Sequence, residues 1–177
     1  MDARTVARAG VAVALLAVSA WVSIPFGPVP FTLQTMALAV LPAALDRKTA
    51  VLAVVSYVLL GAVGLPVFAG LSAGMGALAG PTGGFLWGFI LGTLVATTLV
   101  RVLPDQLPVF GRALAADAVM LLISYVCGTL QLMMVGAMGL VPALLVAVVP
   151  FIIPDAVKLV IGARLGCTVA RAALASK

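Results

Sequence analysis

Apolar residues run in long blocks along this chain, separated by short polar or Gly/Pro-rich breaks, at roughly 7–24, 32–45, 49–65, 83–101, 112–135 and 140–165. Blocks of this length predict membrane-crossing helices, and six crossings is the simplest count: an all-α integral membrane bundle. The second block is only about 14 residues long and starts in a Pro-rich stretch, which predicts a tilted, partly re-entrant or partly extended element. Between blocks three and four, Gly70, Gly74, Gly76, Gly80, Gly83 and Gly84 crowd around Pro66 and Pro81, too many glycines for a continuous helix. Residues 66–84 are therefore expected to form an uncharged, Gly-rich outer loop between helices 3 and 4, suited to act as a lid over a small ligand. Gly76, Gly80, Gly84, Gly88 and Gly92 recur every four residues, a stripe that lets another helix backbone come close. For Gly88 and Gly92, helix packing alone accounts for it.

Composition sharpens this picture by exclusion. Of the 177 residues, 64% are apolar and only 8% charged, against about 45–50% and 25% in an ordinary soluble domain. A water-soluble globule is excluded, and residues 1–177 are expected to form a single transmembrane domain. The chain has no His and no Glu, and its acids are Asp2, Asp46, Asp105, Asp117 and Asp155. Zinc proteases of the HExxH type and Ser-His hydrolases therefore lack their parts. The phosphate-binding pattern GxxxxGK[ST] is missing too, because Arg47 precedes the one Lys that is followed by Thr, Lys48. No enzyme activity, metal or cofactor is expected. Cys127 and Cys167 lie far apart in apolar surroundings and read as packing residues.

The net charge of +5 changes the picture through its placement. Arg4, Arg8, Arg47, Lys48, Arg101, Arg112, Arg164, Arg171 and Lys177 all fall on one side of a six-crossing path, and the other three connections carry no charge. Basic residues favour the cytoplasmic side, so both termini are expected in the cytoplasm of a bacterial or archaeal cell, the chain being multi-pass in its cytoplasmic membrane. No aromatic interleaving or basic groove points to nucleic acid. The first block also resembles a signal peptide ending at Val18-Ser19-Ala20. Its removal would place the remaining termini on opposite sides, so retention is expected.

Asp155 and Lys158 interrupt the last apolar block and carry the main functional signal. Each costs about 2.5–3.5 kcal/mol at a helix centre on insertion scales, and such residues usually face a cavity or a partner. Their i, i+3 spacing puts both on one helical face, where they neutralise each other and offer an acceptor and a donor to a guest. A purely structural ion pair has the same spacing, although apolar packing could replace one at little loss. Pro150 and Pro154 predict a kink or break just before the pair. Asp117 lies five residues after Arg112, and neutralisation by that arginine near the cytoplasmic interface is its simplest account. Gln34, Thr35, Tyr57, Thr82, Trp87, Thr129 and Gln131 are further candidates to line a pocket, with an interfacial-belt role equally open for Tyr57 and Trp87.

Four ordered motifs carry a family resemblance: Ile24-Pro25-Phe26-Gly27-Pro28-Val29-Pro30-Phe31-Thr32-Leu33-Gln34-Thr35, Leu60-Gly61-Ala62-Val63-Gly64-Leu65-Pro66-Val67-Phe68-Ala69-Gly70, Gly80-Pro81-Thr82-Gly83-Gly84-Phe85 and Pro150-Phe151-Ile152-Ile153-Pro154-Asp155-Ala156-Val157-Lys158. Together they resemble the BioY family, the biotin-capturing S components of energy-coupling-factor (ECF) transporters. The resemblance implies a six-helix bundle that binds biotin from outside. Uptake would be driven by a separate transmembrane coupling subunit and cytoplasmic ABC-type ATPase subunits. It also implies that Asp155 and Lys158 contact biotin, and that small residues of the first helix, here Ala3, Ala7, Gly10 and Ala14, meet the coupling subunit. Two departures stand out. Pro154 adjoins Asp155 directly where family members often have an intervening Gly, and Ala69-Gly70-Leu71-Ser72 offers no Asn, leaving Ser72 or a backbone group to substitute. A reading of another class is an ion-coupled carrier or proton channel that uses Asp117 and Asp155.

Overall fold

The computed structural model describes residues 2–175, so Lys177 lies outside the described residues. Helix α1, Ala3–Trp21, starts where the Asp2 carboxylate accepts from the Thr5 amide at 3.0 Å. It buries Ala9, Ala12, Leu16, Ser19 and Ala20 on one face. A small antiparallel hairpin follows, β1 Ser23–Ile24 on β2 Phe31–Thr32, turning at Gly27 with a left-handed φ of 70°. The first motif is thus partly strand, which its Pro spacing concealed.

Helices α2 (Gln34–Ala44) and α3 (Arg47–Ala62) meet at Asp46, whose carboxylate accepts from the Thr49 hydroxyl at 2.6 Å and the Thr49 amide at 3.1 Å. The hydroxyl bond above all holds the Asp46 carboxyl below the usual range against its partial burial, and Arg101 adds to the effect. Two of the basic connections therefore converge. The 66–84 stretch contains a 3₁₀ turn at Ala69–Leu71 and a short helix α4, Met75–Ala79, before α5 begins at Gly83 and runs to Val102. Then come α6 (Val109–Gly136), α7 (Leu140–Ala147), a second 3₁₀ turn at Val149–Phe151 and α8 (Ile152–Ala175).

Among the described residues, α1, α5, α6 and the run Leu140–Ala175 are long and apolar enough to cross a membrane. At 1.5 Å per residue α2 rises about 17 Å and α3 about 24 Å, which is why neither reaches that length on its own. Helices α5 and α6 form the most extensive contact, with α2 on α8 next. Glycine explains both. Cβ atoms on Gly84 and Gly88 would land on the backbone of Cys127 and Ser124, the latter with its Cα only 2.6 Å away, and one on Gly92 would lie 2.9 Å from the Met120 carbonyl oxygen. Across the bundle, Gly162 and Gly166 of α8 lie against the Met36 and Val40 carbonyls of α2, a close approach that only a residue without a side chain permits.

Candidate functional site

The break predicted near Pro150 lies at Val148, with φ −126° and ψ −58°, and in the 3₁₀ turn that follows it. Pro154 falls within the first turn of α8, where its missing N–H costs no helical hydrogen bond. The restart puts Asp155 and Lys158 in the first two turns of α8, on the face turned inward toward α2 and α6. The Lys158 ammonium meets Asp155 Oδ1 at 2.8 Å, and their side chains are only 8% and 4% exposed.

The pair is built into a network rather than standing alone. Thr35, the second residue of α2, donates to Asp155 Oδ1 at 2.9 Å, and Tyr125 of α6 donates to Asp155 Oδ2 at 2.7 Å. The Lys158 ammonium sits 3.7 Å from the centroid of the Phe31 ring, which stacks on Phe151 with centroids 6.4 Å apart. A cation over an aromatic face is favourable, and more so where water is excluded. The hairpin and the second 3₁₀ turn supply these two rings.

This network forms one wall of a cavity of about 140 Å³. Gln34, Thr35 and Thr82 line it with the pair, and aromatic rings from Phe68, Phe85, Phe89 and Phe151 supply much of the rest. An ammonium and a carboxylate beside apolar rings suit a small ligand with a compact polar end and an apolar body. Tyr57 lies behind this surface. It is fully buried, accepts from Gln34 Nε2 at 2.8 Å and donates to the Val67 carbonyl at 2.9 Å, so it ties α3 to the chain before Phe68 and takes no place in an interfacial belt. Gly61 leaves the space that the Phe68 ring fills.

Other candidates fall elsewhere. Trp87 is 46% exposed and does not line the cavity. Gln131 is also outside it, donating to the Leu78 and Gly80 carbonyls at 2.7 and 2.8 Å and so fastening α4 to α6. Thr129 is buried in α6 with its hydroxyl unpartnered among the described residues. Ser72 does line the cavity and donates to the Ala69 carbonyl at 2.8 Å. Asp117 corrects the sequence reading: Arg112 pairs with Asp105, while Asp117 is fully buried and neither of its oxygens has a hydrogen-bond partner among the described residues. Ala3, Ala7, Gly10 and Ala14 are all exposed along α1, and among the described residues nothing lies within 4 Å of where a Cβ on Gly10 would stand.

Tyr125, Ser124, Phe85 and Phe89 are cavity residues that the sequence reading did not single out. Tyr125 had a weak signal, a lone phenol inside an apolar block; Phe85 closes the third resemblance motif without a role assigned to it, and Phe89 had no signal.

Comparison with known proteins bears on the family and the fold. The model of the BioY family matches residues 1–175. The chain belongs to the BioY family. Among curated BioY relatives, the biotin transporter BioY of Thermotoga maritima is 54% identical over 66 residues, 37% of this chain and 39% of that protein. A probable biotin transporter BioY of Pyrococcus horikoshii is 42% identical over 72 residues, 41% of this chain and 44% of that protein. The chain thus spans about two fifths of the length of the curated BioY relatives it matches. The crystal structure of an S component for biotin from an ECF-type ABC transporter superposes with a TM-score of 0.87, at 20% identity, over 97% of this chain and 95% of that one. The BioY-family chain shares that membrane fold.

Proposed function

We propose that this chain is the biotin-binding S component of an ECF-type vitamin uptake transporter. It captures biotin and delivers it to the cytoplasm with energy from a transmembrane coupling subunit and cytoplasmic ABC-type ATPase subunits. The observation that carries the reading is the buried Asp155–Lys158 pair facing an aromatic cavity in a chain of the BioY family. Biotin presents a neutral ureido ring with two N–H donors and a carbonyl acceptor, and an apolar tail that ends in a carboxylate. Asp155 accepts from the ring while Lys158 donates to an oxygen, and the four phenylalanines cover the apolar part.

The reading includes a single domain of six crossings: α1, α2, α3, α5, α6 and the α7–α8 run, with both termini in the cytoplasm of the bacterial or archaeal cell whose membrane holds it. The placement of nine of the ten basic residues supports this path. The exposed small-residue face Ala3, Ala7, Gly10 and Ala14 serves as the contact for the coupling subunit, because a smooth helix face lets a second backbone approach.

Two measurements test the function. The purified chain in detergent should bind biotin by calorimetric titration and hydrolyse no ATP. A folded chain that binds no biotin sinks the proposal, and proton flux without biotin binding would favour a carrier built on Asp117 and Asp155. Segment 66–84 is read as the lid. Trp21 Nε1 donates to the Pro66 carbonyl at 2.8 Å, Tyr57 fastens Val67 and Gln131 fastens α4, while Phe68, Ser72, Ala77 and Thr82 face the cavity. Biotin should slow hydrogen exchange and proteolysis across this segment; equal rates with and without saturating biotin count against a lid.

A further inference from the structure

The polar groups left for a ligand on the buried ion pair can be counted atom by atom. A carboxylate offers about four lone-pair positions, two on each oxygen. Asp155 Oδ1 receives both the Lys158 ammonium and the Thr35 hydroxyl, which fills it. Among the described residues Oδ2 receives only the Tyr125 hydroxyl, so one acceptor position remains there. The ammonium has three N–H groups. One points to Oδ1 and a second direction is taken up by the Phe31 ring, leaving one donor free.

From this count we propose that Tyr125 is a specificity-determining residue. By holding one of the two positions on Oδ2, it leaves the pair as a reader of one donor and one acceptor side by side. That arrangement complements a single N–H/C=O edge of a cyclic urea. The phenol has a second effect, because a hydroxyl donating to Asp155 withdraws part of the negative charge that would otherwise favour a cationic guest. The proposal rests on the biotin-binding reading above and deepens it: Tyr125 sets which rings the site refuses.

The test compares the full parent chain with Tyr125→Phe in lipid nanodiscs, each titrated with biotin and with 2-iminobiotin, whose protonated ring carries N–H donors and no carbonyl. Phenylalanine keeps the ring packing, returns the second acceptor position to Oδ2 and leaves Asp155 more negative. Biotin affinity should change little, because the Tyr125–Asp155 bond is made within the protein and a single ring edge uses one acceptor position on Oδ2 in either chain. Affinity for 2-iminobiotin should rise at least about tenfold, the scale of one charge-assisted hydrogen bond gained, so the preference for biotin over 2-iminobiotin falls by the same factor. An equal change for both probes, or no change for either, overturns the assignment. Should Tyr125→Phe fail to fold, the parent decides with biotin methylated on one or the other ring nitrogen. Reading a single edge, the parent should lose affinity for one isomer at least about tenfold more than for the other, and equal losses overturn the assignment. A folded parent that binds no biotin fails at the first titration, which removes the functional reading and this assignment with it.

Discussion

Asp155→Asn and Lys158→Ala are each expected to abolish tight biotin binding, at a cost of about 2–5 kcal/mol, or roughly 30-fold to several thousandfold in affinity. The reason lies in what each change strands. In Asp155→Asn the Lys158 ammonium loses its 2.8 Å counter-charge in a site where its side chain is 8% exposed, and a neutral amide cannot replace a carboxylate as acceptor for Thr35 and Tyr125 together. In Lys158→Ala the carboxylate keeps two hydroxyl donors and loses its cation. Both singles should also melt at lower temperature than the parent. The double variant should be less damaged in stability than the sum of the singles, because no lone charge stays buried, yet it should still fail to bind. Titration and melting curves on all three variants check both halves. A double variant that binds biotin like the parent would falsify a binding role and leave the pair purely structural.

Gly88→Ala should destabilise the folded chain severely, while Gly10→Ala should leave it unharmed. The added methyl at 88 meets the Ser124 Cα at 2.6 Å, a backbone atom that moves only if α5 and α6 separate along their whole contact. Overpacking of this kind typically costs about 1–3 kcal/mol, and rigid backbone on both sides puts this case at the upper end. At Gly10 the methyl enters open space, and a mid-helix Gly→Ala change there favours the helix by up to about 1 kcal/mol. Melting of the two purified variants beside the parent tests the contrast. Equal stability of Gly88→Ala and the parent would mean that the two helices do not pack as described.

Local sequence information reached some of these features and missed others for physical reasons. Asp155 and Lys158 stood out because two charges in an apolar block have no local explanation, and their spacing already placed them on one face. The chain break was legible because Pro150 and Pro154 restrict the backbone wherever they occur, although it falls just before them, at Val148. The stripe Gly84, Gly88, Gly92 was legible from its period of four, whereas the equivalent pair Gly162 and Gly166 was readable by the same rule and passed over. What was not legible comes from distant segments. Tyr125 meets Asp155 across 30 residues and Phe31 reaches Lys158 from the hairpin, so no window of local sequence contains either contact. Asp117 misled because Arg112, its nearest cation in sequence, pairs with Asp105 instead.

The Asp155–Lys158 bond is made within one helix, and this bears on how the chain enters the bilayer. The run Leu140–Ala175 is 36 residues long and contains an 18-residue window with a mean hydropathy of 2.3, and the two charges lie near the middle of the run. During insertion each would oppose partition by about 2.5–3.5 kcal/mol, against about 0.3–0.6 kcal/mol in favour from each Leu, Ile, Phe or Val. Three residues apart, they neutralise one another as soon as α8 is helical, before any other segment has docked. The charged corner of the cavity therefore enters the lipid as a self-contained dipole, and Thr35 and Tyr125 close around it only when α2 and α6 assemble against α8.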